Sequence, residues 1–447
     1  MKSAQLFYKL SFLVTLLTMA SRVDLHAQTT VSDYATGLTL PIGLEIDNQG
    51  RLWVAEQGTG NNDSRISVVT TDRMVHSFLT GLPSEIVEGP TGAQHLYLDA
   101  NGNLMILQGE GSNLLSESVL TISTAGYAPG DTSRKLDDLK AIHKIGRFSL
   151  SRGARTTNPY TLAVGPESNF FIVDAGFNGI VKQERCTGNL SVFAAFAPVR
   201  NPTPVGPPVM DAVPTGIVFR NNKFYIGGFV GFPFLPDSSR IYEVDLNGNV
   251  SVLKRGLTAV VDLAVDPRDG NLVFLQFGRF AFAPPPPDFR PNTGGLFKLR
   301  SGGRVDTLAV GLNFPSGMRF AANGDLFVSS LVDGKILKIT FPTTAVTTRP
   351  NTTLPKNLTL EQNYPNPFNP VTKIRYALPK ASRVVLKIFN LQGQEMRTLL
   401  NEEKSAGAFE ALWDGKDDTG RQMSSGTYLY QIEAQGLAQT KKMVLLQ

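Results

Sequence analysis

Between residues 41 and 330 the chain keeps returning to one rhythm of apolar and polar positions. A short apolar run leads into a polar turn of Gly, Asn and Asp, and a second apolar run follows. Six segments carry it: PIGLEIDNQGRLWVAE (41–56), AQHLYLDANGNLMILQ (93–108), PYTLAVGPESNFFIVD (159–174), PTGIVFRNNKFYIGG (214–228), VVDLAVDPRDGNLVFLQ (260–276) and PSGMRFAANGDLFVSS (315–330). Each reads as a hairpin. Most are followed by two further short strands, as in RIYEVDLNGNVSVL and GLFKLRSGGRVDTL. Four strands per unit, recurring about every 40 to 55 residues, predict the blades of a β-propeller; a β-solenoid would have shorter, more regular coils.

The pattern also predicts how the ring closes. The outer strand of a blade precedes each G-L-x-x-P junction, as in VSVLKRGLTAV and VDTLAVGLNFP. The same signature stands at VSDYATGLTLP (31–41), where no blade comes before it, while the sixth repeat ends at KILKITFP without a fourth strand. Residues 29 to 38 are therefore expected to supply the outer strand of the last blade, which removes the open edge. By the up-and-down path of the chain, the blade junctions and the loops after each second strand share one end of the channel. Two rings are expected to converge there. The third residues of the repeats are Gly43, His95, Thr161, Gly216, Asp262 and Gly317; the ends of the second strands are Glu56, Gln108, Asp174, Gly228, Gln276 and Ser330. Small residues suit strands crowding an axis. Against them His95, Asp262, Glu56 and Asp174 stand out. Glu56, Asp174 and Asp262 are candidate ligands for Ca2+ or another divalent cation, with His95 as a base; alternatively all four cap strand ends and bond to neighbouring blades.

Two loops at that end are aromatic. FVGFPFLPDSSR follows the second strand of the fourth repeat and FGRFAFAPPPPDFRPNTG that of the fifth. Proline stiffens such loops. Phe229, Phe232, Phe234, Phe280, Phe282 and Phe289 can either wall an apolar site over the channel or pack on one another as a cover. Residues 125 to 158, with RKLDDLKAIHKIGRFSL, read as an insert in the second blade holding a short helix, and His143 within it as a surface residue.

Composition narrows the class. Charged residues make up 18% of the 447, with 42 Gly and 28 Pro, which suits a turn-rich secreted β-protein. The formal charge of +5 is spread out, with no dense basic run among aromatics, so nucleic acid is not an expected partner. Lys2 and Lys9, the apolar LSFLVTLLTMA and Leu25-His26-Ala27 form the three parts of a signal peptide over residues 1–27; the apolar run is short for a membrane span, and no later segment is apolar enough. Cys186 stands alone, so no intrachain disulfide forms, and it reads as an unreactive or half-buried thiol. There is no G-x-S-x-G elbow, H-E-x-x-H, phosphate-binding glycine loop or Cys/His cluster.

The segments LWVAEQGTGNND, NPYTLAV with IVDAGFNGIV, VPTGIVFRNNKFYIGGFVGFPF and TAVVDLAVDPRDGNLVFLQ resemble the ScyD/ScyE family of secreted propellers across about residues 31–341. That resemblance implies a six-bladed, NHL/TolB-like propeller but no reaction and no site residues. The chain is more broadly similar to gluconolactonase-like propellers, some of which are metal-dependent hydrolases. Glu88-Gly89-Pro90 resembles the start of their metal site, and the rest of that set is not recognisable.

A Thr/Pro/Asn-rich linker, residues 342–359, separates the propeller, residues 28–341, from residues 360–447. The tail alternates in short strands around Trp413, the expected core aromatic, and reads as a small Ig-like β-sandwich. LEQNYPNPFNPVTKIRYALP, VVLKIFNLQGQEMRTL, WDGKDDTGRQMSSGTYLYQI and KKMVLL resemble the type A C-terminal sorting domain of the type IX secretion system and the FlgD-like immunoglobulin fold, with Tyr364, Pro365, Asn366, Pro367, Phe368, Asn369 and Pro370 as the sorting motif. The resemblance implies the type IX machinery at the outer membrane as partner. It also implies a cargo attached to the cell surface or released after cleavage.

Three functions follow as expectations. One is a secreted or cell-surface accessory protein binding a small molecule, glycan or protein. Another is an extracellular metal-dependent hydrolase or lactonase. The third is a purely structural surface module.

Overall fold

In the computed structural model, which describes residues 29–87, 89–341, 357–363, 366–368 and 372–446, three of the six second strands of the blades are buried at every residue. Leu52–Glu56 and Phe170–Asp174 are buried along their whole length, since a strand sandwiched between two blades meets no solvent on either face. Such strands read in sequence as unbroken apolar runs, LWVA and FFIV.

Six four-stranded antiparallel sheets result. From the axis outward, the first is Pro41–Ile46, Leu52–Glu56, Ser64–Val69 and Val75–Leu82. The second is Ala93–Leu98, Asn103–Gln108, Ser118–Ser123 and Leu139–His143. The third is Pro159–Val164, Phe170–Asp174, Gly179–Gln183 and Leu190–Ala195. Blade four is Pro214–Arg220, Lys223–Gly228, Ser239–Val244 and Val250–Leu257. Blade five is Val260–Val265, Leu272–Gln276, Gly294–Leu299 and Val305–Leu312. Blade six takes three strands from one end, Pro315–Phe320, Leu326–Ser330 and Lys335–Thr340, and its fourth, Thr30–Thr36, from the other. Thr30 lies opposite Thr340 and Thr36 opposite Lys335, closing the ring as expected.

The hairpins owe their sharpness to local chemistry. In the first, Asp47 accepts backbone N–H bonds from Gln49 and Arg51, and Gly50 takes φ +78°; Asp99 and Gly102 repeat the arrangement in the second. The carboxylate stands in for a turn amide while glycine supplies the left-handed residue. Blade four uses Asn221 and Asn222, both at positive φ, the other common solution. Between blades the filling is aromatic and aliphatic. Phe171 of blade three and Phe224 of blade four approach to 4.3 Å between ring centres.

Residues 125–158 divide differently from a simple insert. Leu139–His143 is the outer strand of blade two, and the helix is the segment after it, Ile145–Ser151. His143 is half-buried on that strand. Cys186 is exposed rather than half-buried, because its turn projects from the rim of blade three. Residues 1–28, Glu88 and residues 342–356 lie outside the described residues, and with them the expected signal peptide, the first residue of Glu88-Gly89-Pro90 and most of the expected linker. Among the described residues no helix is long and apolar enough to cross a membrane.

The chain divides into two units at residue 342. The second is a sandwich: Thr359–Leu360, Thr372–Leu378 and Gly407–Trp413 in one sheet, and Glu395–Lys404, Ser382–Phe389, Gly426–Ala434 and Leu437–Leu445 in the other. Trp413 is fully buried at its centre, against Phe368 and Tyr428. Of the expected sorting motif, Asn366, Pro367 and Phe368 are described and Tyr364, Pro365, Asn369 and Pro370 are not. Phe368 fills the core, and its backbone bonds to Val444 and Leu446.

Removing Thr30–Thr36 leaves blade six with an unpaired edge. The propeller transition is expected to fall by at least ~10 °C in a calorimetric scan while the sandwich transition stays in place.

Candidate functional site

The channel pinches at the third residue of each repeat. A β-carbon on Gly43 would sit 2.4 Å from the His95 backbone, one on Gly216 2.4 Å from the Leu263 nitrogen, and one on Gly317 2.1 Å from the Ile42 oxygen. Glycine is required there because neighbouring strands nearly touch. Two cavities that share no lining residue lie along the axis. The upper one, at the end bearing the junctions, has a volume of about 330 Å³ and the lower one about 470 Å³.

The upper cavity is reached by residues one step away from the expected rings. From the first strands it is lined by the second residues of the repeats, Ile42, Gln94, Tyr160, Thr215, Val261 and Ser316. From the second strands it takes the residue just past the end: Gln57, Ala175, Phe229, Phe277 and Leu331. The cause is a hydrogen bond repeated in every blade. The residue after the second strand donates its N–H to the carbonyl of the residue before the first: Gln57 to Leu40, Gly109 to Gly92, Ala175 to Asn158, Phe229 to Val213, Phe277 to Ala259 and Leu331 to Phe314. Successive side chains point to opposite sides of a strand, so the ring Glu56, Gln108, Asp174, Gln276 and Ser330 faces away from the axis.

Those residues clamp the chain locally. Glu56 accepts from Arg65 through both oxygens at 2.8 Å, from Ser67 and from the Thr39 backbone. Asp174 accepts from Ser149 and Thr157 at 2.6 Å, from the Asn158 backbone at 2.7 Å and from Phe177 at 3.1 Å. Gln108 donates to the Pro83 carbonyl, Gln276 to Thr293, and Ser330 to Asn313. The structure therefore does not bring Glu56, Asp174 and Asp262 together as cation ligands. Two of the carboxylates are saturated by protein donors, and the third lies below the waist. Among the described residues no three His, Cys, Asp or Glu side chains are placed to hold a metal ion.

His95 and Asp262 both line the lower cavity. Asp262 accepts from the backbone N–H of Leu263 and, across the blade boundary, of Met318, each at 2.8 Å. Burial nevertheless pushes its carboxyl up to about 7, against the pull of those two bonds and of Arg319. Burial likewise pushes the His95 imidazole down to about 3, with Arg319 adding to the effect. His95 packs on Tyr160 with ring centres 4.8 Å apart, and its Nε2 has no hydrogen-bond partner. Arg319 and its ion-pair partner Glu45, missed in the sequence, occupy the fifth place of their repeats; reading the repeat to its fifth residue would have found them.

The phenylalanine loops divide: Phe229, Phe232 and Phe234 reach a cavity or groove, whereas Phe280, Phe282 and Phe289 line neither. Phe229, Phe234, Phe280 and Phe289 pack edge-on or tilted at 5.2–6.1 Å between centres, so most of the cluster supports itself. Phe280 and Phe282 lie in or beside a small hairpin, Arg279–Ala281 with Asp288–Arg290, whose tip is the four prolines. Phe229 continues into the upper cavity. Phe229, Phe232 and Phe234 also wall an adjoining groove of about 780 Å³, whose other sides include Arg155, Asn158, Asn178 and Asp211. Phe232 is 45% exposed and Phe282 41%. The Oδ1 of Asn158, which lines both groove and cavity, has no partner.

The profile of the FlgD Ig-like domain matches residues 370–437. No curated protein matches the sequence. Similar solved structures include a virginiamycin B lyase from Staphylococcus aureus at 14% identity, covering 70% of this chain and 99% of that one with a TM-score of 0.44. A gluconolactonase from Xanthomonas campestris is 12% identical over 70% and 90%, with a TM-score of 0.45. A protein of unknown function from Bacteroides thetaiotaomicron is 13% identical over 70% and 75%, with a TM-score of 0.48. The likeness is one of fold.

Two outcomes are expected from substitution. Asp174→Ala strips four donors of their acceptor inside the fold and should cost about 3 kcal/mol in a urea titration of the propeller. His95→Gln tests the axis. With a folded pKa near 3 and an unfolded value of 6.5, neutral His95 contributes fully above pH 6.5, and that contribution is lost as pH falls and the unfolded chain takes up the proton. Relative to wild type, His95→Gln should therefore gain about 2 kcal/mol between pH 7 and pH 5.

Proposed function

We propose that the chain is a secreted propeller that binds a ligand on its upper face and is delivered there by its C-terminal domain. The observation that carries the reading is the continuity of the axial mouth with the phenylalanine-walled groove. The two share Val87, Glu110, Asn158, Ala175, Val213 and Phe229. Together they offer aromatic faces beside a few polar groups, the ordinary make-up of a small-ligand site. Exposed apolar side chains ring the same end: Ile86, Val87, Leu114, Val205, Val209, Phe232 and Phe282. A monomer that kept this face bare would gain nothing from it.

The ligand class is a small molecule or glycan with an apolar face. The signal peptide and the sorting-domain resemblance support export across the outer membrane by the type IX machinery, ending at the cell surface or in the medium. A hydrolytic reading lacks a carrying observation. The carboxyl with the most acid-like setting near the upper end, Glu117, is pushed up to about 7 by burial and then by Glu110, Asp174 and Glu85. It does not line the cavity or the groove.

The test has two arms. A reporter fused to residues 357–447 and preceded by a signal peptide is expected outside the cell in a type IX-competent bacterium and to stay in the periplasm when the secretion pore is deleted. In a glycan array and thermal-shift screen, hits on the full chain are expected to lose at least ~tenfold in affinity in Phe232→Ser. Retention of the reporter would sink the delivery reading, and hits indifferent to Phe232→Ser would sink the binding one.

A further inference from the structure

We propose that the lower axial chamber is a second binding site, which takes a small organic acid: its carboxylate meets Arg319 and His95, and its apolar body lies on the opposite arc of the ring. Nothing in the upper-face reading requires this site, and its test is independent.

The argument begins with the fifth residues of the six repeats: Glu45, Tyr97, Ala163, Val218, Ala264 and Arg319. Going round the ring, blades six, one and two contribute long polar side chains, and blades three, four and five contribute small apolar ones. A channel serving only as a core would fill evenly, because interiors pack densely. Here the small arc leaves a chamber of about 470 Å³, within the range of small-ligand sites. The fourth residues, Leu44, Leu96, Leu162, Ile217, Leu263 and Met318, also line it and belong to the separate apolar cores of the propeller.

On the polar arc the one cation is Arg319. Arg319 is surrounded by protein, yet its side chain is 41% exposed, because it borders open chamber space. Glu45 holds the guanidinium through Nη2 alone, and Nε has no partner. His95, itself buried, lines the same chamber and has an unpartnered Nε2. The other acid on the wall, Asp262, spends each oxygen on a backbone N–H. A planar guanidinium with unused donors matches a carboxylate or a phosphate, and the aliphatic arc favours a carboxylic acid with an apolar body over an inorganic anion.

The experiment is calorimetric titration of the full chain with hexanoate and benzoate against hexanamide and benzamide. Saturable binding of an acid is expected, with the matching amide weaker by at least ~tenfold. The paired variant Glu45→Gln/Arg319→Gln, which replaces an ion pair by a neutral one, should abolish that preference. If the pair variant does not fold, Ala264→Phe fills the chamber with Arg319 intact and should remove binding. Phe232→Ser, on the upper face, should leave acid binding unchanged. The proposal is overturned by no saturable binding of either acid up to ~10 mM. Equal affinity for acid and amide, undiminished binding in folded Ala264→Phe, or loss of binding in Phe232→Ser would overturn it equally.

Discussion

One backbone hydrogen bond, made six times, governs the upper half of this propeller. In each blade the amide that ends the second strand is captured by the carbonyl that precedes the first. In four blades the residue giving that carbonyl, Leu40, Val213, Ala259 or Phe314, adopts a positive φ. A non-glycine residue held there costs on the order of 1 kcal/mol, so the bond and the packing around it must outweigh a repeated strain. The result is a ring whose inward-facing side chains are set by backbone geometry. Sequence is then free to vary there, and it does, from Gln57 to Phe229 to Leu331.

The buried polar groups divide by what they touch. Glu56, Asp174, Gln108, Gln276 and Ser330 tie the ends of the second strands to nearby strands, junctions and loops. Ser316, whose hydroxyl donates to the Pro41 carbonyl, and Thr215, which donates to Val260, stitch one blade to the next. Most of these atoms have partners because a buried polar atom without one is costly. Gln108 Oε1 and Asn158 Oδ1 do not, and neither do the nitrogens of His95 and Arg319, two residues that line the lower cavity.

The architecture was readable because its signals are local. Turn residues such as Asp47-Gly50 and Asn221-Asn222 mark hairpins, and the orphan strand before Pro41 declares its own missing partner. The sites were less readable, because they depend on which way a side chain leaves a strand end. The expected ring at Glu56 and Asp174 fails by a single residue, since a shift of one reverses the face. The first strands add bulges of their own, between the first and fourth residues at Pro41 and Leu44 or the first and third at Val260 and Asp262. No pattern of apolar and polar residues encodes such a bulge. Arg319 was hidden for a different reason. It is a charge in a channel, and composition alone places such a residue on the surface. The phenylalanine loops stayed ambiguous because their rings both support one another and line a groove.

The borrowed strand has a kinetic consequence. Thr30 pairs with Thr340, so the contact that completes the ring joins nearly the two ends of the propeller. Contacts this distant in sequence form late and slowly, because the intervening chain must first be ordered. A chain emerging from its N-terminus carries its first strand unpaired until Lys335–Thr340 has appeared, when only the linker and the sandwich remain behind. The ring therefore closes only once both ends of the propeller segment are available to pair.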